Sequence, residues 1–184
     1  MPEPTFASPV TSKYTADVSA PLRLTDESAM EKMVVRADIG TAAKAHLAVE
    51  FAQSRVSDDV LIAGTRPDEW FLLGSPEAVT AKVDSLPTEG HVSFVDWTHC
   101  RAAFRITGAE GGDALEKLCN VDWSDNMTPD GAVVSASVAG TSCDIVRHDI
   151  DDERSYLVLC DRSFGQYLFD ALLDAGREFG LAPG

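Results

Sequence analysis

A histidine and a cysteine, His99 and Cys100, are adjacent in the sequence and are the first candidates for nucleophilic chemistry. Consecutive residues of an extended segment point in opposite directions, so this imidazole cannot make the hydrogen bond that activates the thiolate. We therefore interpret the pair as part of a connecting turn with a buried cysteine. The other cysteines have no CxxC spacing and predict buried thiols rather than a zinc site or a redox pair: Cys119, Cys143 and Cys160.

Clustered carboxylates and glycines give three further candidates, each with a simpler structural interpretation. The acidic run at 149–153 lacks the central glycine and the distant glutamate of a calcium loop, so it predicts a solvated turn. Asp68 and Glu69 diverge on an extended segment, which argues against paired acid–base catalysis. The glycine-rich stretch at 108–112 lacks the GxGxxG spacing of a dinucleotide-binding loop and predicts a tight turn before a helix.

Two further histidines, His46 and His91, are candidate metal ligands by residue type. Neither has a second ligand at helical or strand spacing. His46 shares its segment with Lys44 and Glu50, a pattern typical of a solvent-exposed helix face. The residues by themselves therefore predict no catalytic, cofactor-binding or metal-ligating group.

The charge balance is strongly acidic, with 30 Asp and Glu against 15 Lys and Arg and a formal net charge of -15. A nucleic acid backbone needs a basic footprint that this chain lacks, so we expect no nucleic acid partner. No stretch approaches the roughly 18 apolar residues of a membrane span, and the N-terminal segment has no basic region followed by an apolar run. We expect a folded cytoplasmic protein without a membrane partner.

The first half of the chain predicts an arm followed by one lobe. Residues 1–31 are rich in Pro, Ser and Thr and predict an extended N-terminal arm. Residues 32–98 predict the β-α-β-β-α-β order of a ferredoxin-like unit, with strands at 32–37, 60–63, 70–73 and 91–97. Its helices are predicted at 41–53, with Thr41 as N-cap, and after Ser75, which precedes Pro76.

Residues 99–184 predict a second lobe. The strand predicted at 101–107 alternates apolar and polar residues, a short helix follows at 113–119, and further strands are predicted at 132–138, 142–148 and 155–160. The last helix has a predicted capping box, Ser163 with Gln166, and ends near Gly180. Its predicted apolar stripe contains Phe164, Tyr167, Leu168, Ala171, Leu172, Ala175 and Phe179.

These patterns predict an α+β fold of two small ferredoxin-like lobes. Each lobe is expected to contain an antiparallel sheet with its helices on one face. We therefore expect the lobes to share an interface and form one compact unit.

Three stretches, taken in order, carry a resemblance to a known family. They are SPVTSKY with RLTDESAMEKMVVRAD, then GTRPDEWFLLG, then a run from SFVDWTHCRAAFRITG through GGDALEKLC to RSFGQYLFDALLDAGREFG. Together they resemble the gamma-subunit family of heterotetrameric sarcosine oxidases, and they are colinear from Ser8 to Gly180. That family is related in fold to the folate-binding aminomethyltransferases, so the resemblance implies an aminomethyltransferase-like fold.

The resemblance implies an assembly subunit of a complex that oxidatively demethylates sarcosine to glycine. Hydrogen peroxide and either formaldehyde or methylenetetrahydrofolate are the implied co-products. The implied partners are the alpha, beta and delta subunits, chiefly alpha. FAD, FMN, NAD, tetrahydrofolate and zinc are implied on those subunits and none on this chain alone. The motif positions carried over as fold or interface residues are Asp96, Arg101, Gly108, Leu118, Cys119, Asp122, Gly131, Arg162, Ser163, Phe164 and Tyr167.

Other functions remain open on the same fold. One is a freestanding folate-dependent aminomethyl or methyl transferase, and another is a subunit of a related demethylase of an N-methyl amine such as dimethylglycine. A homo-oligomeric structural protein is a third. The resemblance implies an Asn-Gly-Asp segment in the folate enzymes that is missing here between VRADIG and DEWFLL, which argues against folate binding by this chain alone.

Overall fold

The computed structural model describes residues 7–11 and 20–181, which form two five-stranded antiparallel sheets. The first sheet has the spatial order β3-β4-β5-β2-β6. Its strands are β2 (Glu31–Ala37), β3 (Ser54–Ser57), β4 (Val60–Arg66), β5 (Glu69–Gly74) and β6 (Val92–Asp96). Two helices, α1 (Ala42–Leu47) and α2 (Pro76–Asp84), accompany this sheet.

The second sheet has the spatial order β1-β7-β10-β9-β8. Its strands are β1 (Arg23–Asp26), β7 (Arg101–Thr107), β8 (Val133–Val138), β9 (Thr141–Arg147) and β10 (Ser155–Asp161). Its helices are α3 (Gly111–Glu116) and α4 (Gly165–Gly176). No helix of the described residues is long and apolar enough to cross a membrane.

Both sheets have the ferredoxin-like strand order with one additional edge strand. In the first sheet β6 closes the order beside β2, whereas in the second sheet β1 takes the equivalent place beside β7. The prediction of an extended arm over residues 1–31 is therefore wrong for Arg23–Asp26. Leu22 and Leu24 are fully buried there, because pairing with β7 lets them enter the core. Residues 1–6 and 12–19 of the predicted arm lie outside the described residues.

The two sheets pack face to face, and the helices cover their outer faces. Apolar residues of both sheets fill the layer between them, with Val34, Phe71, Leu73, Ala103, Val133, Val146, Leu157 and Leu159 among its buried members. A second core lies beneath α1 and α2, and a third beneath α3 and α4. The predicted α+β fold, with helices on one face of each antiparallel sheet, is confirmed.

The sheets are also joined along one edge. Gln53, just before β3, forms an antiparallel bridge with Ala132, just before β8. The Ser54 amide donates to the Gly131 carbonyl at 2.6 Å, and the Val133 amide donates to the Ala52 carbonyl at 3.0 Å. Backbone hydrogen bonds therefore continue from one lobe to the other.

Three hairpins have two-residue turns with left-handed backbone at both positions. These turns are Asp58–Asp59, Ala139–Gly140 and Asp151–Asp152. Such type I′ turns match the right-handed twist of the flanking strands and fix their register. The first of them creates β3, a strand that the sequence did not predict.

The first helix is shorter than its predicted span of 41–53. Thr41 is the N-cap as predicted, because its hydroxyl accepts from the Lys44 amide at 3.3 Å. The helix ends at Leu47, where Ala48 adopts a left-handed conformation. The Val49 carbonyl then accepts from the Trp70 indole at 2.8 Å. This tertiary contact replaces the predicted final turns of the helix.

The predicted capping box at Ser163 and Gln166 is wrong. Residues Arg162–Phe164 form a 3-10 turn, α4 begins at Gly165, and no side chain caps either one. Gln166 instead accepts through Oε1 from the amide and hydroxyl of Thr11, at 2.7 and 2.9 Å. The apolar stripe is displaced accordingly. Phe164 and Tyr167 are exposed, whereas Phe169 and Leu173 are buried.

Candidate functional site

Arg101, a predicted motif residue, lies where the two lobes meet. Its guanidinium is 3.2 Å from Asp161 Oδ1 and 3.8 Å from Asp144 Oδ2. It also lies over the Trp97 ring, 5.0 Å from the centroid, and Trp97 packs against Phe71 of the first sheet. Such a cation over an aromatic face is stabilising. Arg101 therefore joins the linker between the lobes to the second sheet.

Asp96 ends β6 and organises the start of the same linker. Its carboxylate accepts from the Thr98 amide at 2.8 Å. Partial burial opposes ionisation, but the hydrogen bonds from Thr98 outweigh it and lower the pKa of Asp96. In this structure Asp96 shapes a turn. Its predicted role as an interface residue of the family motif stays a prediction.

Gly108 and Gly131 hold backbone positions that disfavour other residues. At Gly108 φ is +141°, and an added Cβ would lie 2.1 Å from the Pro21 carbonyl oxygen. Gly131 has φ +83°, and its carbonyl accepts from the backbone and the hydroxyl of Ser54. The first glycine packs the segment that leads into β1 against the end of β7, and the second joins the lobes.

Asp122 organises the loop between α3 and β8. Its carboxylate accepts from the Ser124 amide at 2.9 Å, and hydrogen bonding from the Ser124 side chain and amide lowers the pKa of Asp122. Its carbonyl accepts from the Thr128 hydroxyl at 2.8 Å. Cys119, nearby, is buried, and burial raises the pKa of its thiol. Leu118 packs at the margin of the same core.

The last four motif positions surround the start of α4. Arg162 donates through its amide to the Cys100 carbonyl at 2.9 Å and through its guanidinium to the Ala7 carbonyl. Ser163 is exposed. Phe164 and Tyr167 are 48% and 56% exposed, and the Tyr167 hydroxyl donates to the Ala139 carbonyl at 2.8 Å. The structure thus brings an exposed aromatic pair together at one helix end.

Arg147 is the centre of an ionic network that the sequence did not reveal. Its side chain is 7% exposed and donates to Asp149 through Nε at 3.1 Å and through Nη2 at 2.9 Å. Nη1 donates to Asp125 and to the Thr128 carbonyl, and Arg154 donates to the same Asp125 oxygen. Hydrogen bonding to Asp149 is the main reason that the pKa of Arg147 is raised.

This network decides the role of the acidic run at 149–153. Asp149 is held by Arg147, and Glu153 is paired with Arg23. Asp151 and Asp152 form the hairpin turn. Within residues 7–11 and 20–181, no three His, Cys, Asp or Glu side chains are placed to hold a metal ion.

A buried lysine at the lobe junction was also missed by the sequence. Lys32 is fully buried, and its ammonium donates to the carbonyls of Ser28, Met30 and Thr98 at 2.7, 2.8 and 3.3 Å. Burial lowers the pKa of Lys32 to about 8. The three carbonyls use all three ammonium hydrogens, so this group acts as a tie between the β1–β2 loop and the linker.

The sequence candidates for catalysis do not assemble. Cys100 is exposed, so the prediction of a buried thiol is wrong at this position. It lies in a turn in which the amides of Cys100 and Arg101 donate to the Trp97 carbonyl. His46 and His91 are also exposed. Glu69 is buried and forms ion pairs with Arg36, at 2.8 Å, and with Arg66. Burial opposes ionisation, but these ion pairs and a hydrogen bond from Thr65 outweigh it and lower the pKa of Glu69.

Two clefts formed by the described residues lack the features of a folate site, which needs an apolar slot for its ring system and cations for its carboxylates. In one cleft Arg36 is committed to Glu69, and Asp38 and Asp68 would repel an anion. A second cleft, lined by residues 52–54, 127 and 129–132, contains no basic side chain.

Two ferredoxin-like sheets packed face to face between helices define an aminomethyltransferase-like α+β protein. The model of the GCVT N-terminal domain family matches residues 27–184, and the chain belongs to this family. The predicted fold relation is thereby confirmed. Comparison with curated proteins finds no match.

Two solved structures show the same fold. One is heterotetrameric sarcosine oxidase from Corynebacterium sp. U-96 in complex with pyrrole 2-carboxylate, with TM-score 0.74, 20% identity, and coverage of 89% of this chain and 87% of that chain. The other is glycine cleavage system aminomethyltransferase T from Bartonella henselae, with TM-score 0.68, 14% identity, and coverage of 86% of this chain. This chain spans about half of that second protein, 47%.

Proposed function

We propose that this chain is the gamma subunit of a heterotetrameric sarcosine oxidase and serves assembly rather than catalysis. The observation that carries the proposal is the fold match to a chain of heterotetrameric sarcosine oxidase. That match has a TM-score of 0.74 and covers 87% of the oxidase chain, whereas the match to the aminomethyltransferase has a TM-score of 0.68 and covers 47% of that chain.

The way in which the polar side chains are used supports a non-catalytic role. The buried charges at Arg147, Glu69 and Lys32 are engaged by partners within the fold. Each of these contacts holds together strands or loops of this chain. In the proposed complex, sarcosine demethylation and the flavins, NAD, folate and zinc belong to the alpha, beta and delta chains of a cytoplasmic assembly.

The exposed aromatic pair Phe164 and Tyr167 is the proposed contact with the alpha chain. Large aromatic residues are enriched at the energetic centres of protein interfaces. The Tyr167 hydroxyl is held by the Ala139 carbonyl, and Gly165 between the two aromatic residues is buried against Pro9 and Ala102. The pair is therefore presented by a rigid support, which lowers the entropic cost of binding.

Co-expression with the alpha, beta and delta chains of the same organism tests the proposal. Native mass spectrometry should show a stoichiometric heterotetramer that contains this chain. Phe164→Ala should weaken its incorporation by about 30-fold, the loss expected for one aromatic anchor. Phe51→Ala, at another exposed phenylalanine, is the matched control and should leave incorporation unchanged. An active oxidase that assembles without this chain would refute the proposal.

A freestanding folate-dependent transferase is the second candidate, and the family match favours it. Isothermal titration of the isolated chain with tetrahydrofolate separates the two functions. The subunit proposal expects no measurable binding, whereas tight binding without partners would support the transferase.

If the heterotetramer forms, a panel of sarcosine and dimethylglycine as substrates distinguishes the oxidase from a related demethylase.

A further inference from the structure

Cys143 and Cys160 face each other on neighbouring strands. They are directly opposite in the register of β9 and β10. The His148 amide donates to the Ser155 carbonyl at 2.9 Å, which marks that pair as hydrogen-bonded. Hydrogen-bonded and non-hydrogen-bonded pairs alternate along an antiparallel ladder, so the cysteines, five positions along the register, occupy a non-hydrogen-bonded pair.

This position has the geometry that a disulfide needs. Cα atoms of a non-hydrogen-bonded pair are about 4.5 Å apart, within the range of about 4.4–6.8 Å found in disulfides. Both side chains belong to the core beneath α4 and so lie on the same face of the sheet. Cys143 Sγ lies 3.4 Å from the Thr141 carbonyl, and Cys160 Sγ lies 3.4 Å from the Asp161 carbonyl. Both sulfurs therefore lie toward the same end of the β9–β10 ladder.

We propose that Cys143 and Cys160 are a redox site that forms an intramolecular cross-strand disulfide on exposure to peroxide. One hydrogen peroxide accepts the two electrons and two protons that the thiols lose. Two S–H bonds and the O–O bond break, one S–S bond forms, and two waters are released. This proposal departs from the sequence-based expectation that these two residues are not a redox pair.

The surroundings make this oxidation slow. Cys143 is 2% exposed and Cys160 is 0% exposed. Burial raises the pKa of each thiol to about 12, so little thiolate is present at neutral pH. Reaction therefore requires a local opening, and we expect hours rather than seconds under native conditions. The exposed Cys100 should be oxidised earlier, to sulfenic acid and beyond.

Peptide mapping of the isolated, fully reduced chain tests the proposal. The chain is treated with hydrogen peroxide, its remaining thiols are blocked with N-ethylmaleimide, and it is digested with trypsin. The expected product links the peptides 118–147 and 155–162, with a mass about 2 Da below their sum. Cys119 shares the first peptide, so the mapping is repeated on Cys119→Ser, where the link should persist.

Two further measurements make the result decisive. Cys160→Ser should abolish the linked peptide, whereas Cys100→Ser should leave its yield unchanged. Oxidation should raise the melting temperature by about 5–10 °C, because the bond closes a loop in the unfolded chain, and dithiothreitol should reverse the rise. A link that involves Cys100, a link between two molecules, or thiols that stay reduced until global unfolding would each overturn the proposal. The test uses the isolated chain, so its outcome is independent of the proposed subunit role.

Discussion

At the scale of single residues, the polar groups of this acidic protein are mostly used to hold the fold. Arg147 shows this most clearly, since it fastens the end of β9 to Asp149 and to the loop that contains Asp125 and Thr128. Paired Arg–carboxylate forks of this kind are specific in geometry as well as in energy. The acidic run at 149–153 could suggest a cation site in the sequence, but its Asp149 is a partner of Arg147.

Replacing Arg147 by Met should lower the free energy of unfolding by about 3 kcal/mol. The variant leaves Asp149 and the Thr128 carbonyl without the guanidinium that now satisfies them, and breaking a buried pair is costly. Urea denaturation followed by circular dichroism measures the change. Arg177→Met is the control, since its pair with Asp174 is exposed, and it should change stability by less than about 0.5 kcal/mol. Equal effects of the two variants would contradict the assigned role of Arg147.

At this scale the sequence does not reveal the contacts that hold the polar groups in place. Arg147 and Asp125 are 22 positions apart, and Lys32 and Thr98 are 66 apart. No local pattern reports such pairs, because the fold brings them together. The Cys143–Cys160 pair was accessible in principle, since a two-residue turn centred on Asp151–Asp152 places these residues opposite each other.

At the scale of elements, strand β1 has the largest consequence. It is four residues long, comes before the first lobe in sequence, and pairs with β7 in the second lobe. Its Pro- and Ser-rich surroundings suggested an arm, and only pairing reveals that Leu24 belongs to the core. Strands β1 and β7 therefore belong to one sheet although the first lobe lies between them in the sequence, which ties the stability of both lobes to one another.

Leu24→Ala should destabilise the protein by about 3 kcal/mol, since it leaves a cavity in a fully buried site. The loss should appear as one cooperative transition by both tryptophan fluorescence and far-ultraviolet circular dichroism. Val95→Ala on the edge strand β6, where the side chain is 38% exposed, should cost less than about 1 kcal/mol. A negligible effect of Leu24→Ala would show that β1 is peripheral.

The boundaries of the helices and strands differ in how well the sequence predicted them. The cap of α2 was predicted correctly, because Ser75 and Pro76 act locally and the Ser75 hydroxyl accepts from the Ala78 amide at 3.2 Å. The starts of α1 and β7 were also correct. The predicted end of α1 and the predicted start of α4 were wrong, because distant residues form hydrogen bonds there. The Trp70 indole donates to the Val49 carbonyl, and the Thr11 amide donates to the Gln166 side chain.

At the scale of the whole molecule, two equivalent sheets enclose one apolar layer, and Lys32 lies at its margin. The folded pKa of Lys32 is about 8, below the ordinary value of 10.5. Between these values the unfolded chain binds more protons, so the contribution of Lys32 to the free energy of unfolding rises with pH. This group therefore makes the two-lobed arrangement more stable on the alkaline side of neutrality.

The comparison of the wild-type chain with Lys32→Met isolates this effect, because other titrating groups cancel in the difference. The free energy of unfolding of the wild type, relative to the variant, should increase by roughly 2 kcal/mol between about pH 8 and about pH 10. Urea titrations at a series of pH values measure it. A difference that stays constant with pH would mean that Lys32 keeps its ordinary pKa in the folded protein.

The α+β class, most strands, the acidic character and the likeness to a family could be predicted from the sequence, because alternation, caps, charge and colinear motifs are local properties of the chain. The structure was needed to show that β1 completes the second sheet, that Phe164 and Tyr167 are exposed, and that Cys143 faces Cys160. The physical reason is that each of these depends on pairing or packing between distant segments. Burial against a specific partner outweighs local propensity by several-fold, and the partner is defined only once the chain has folded.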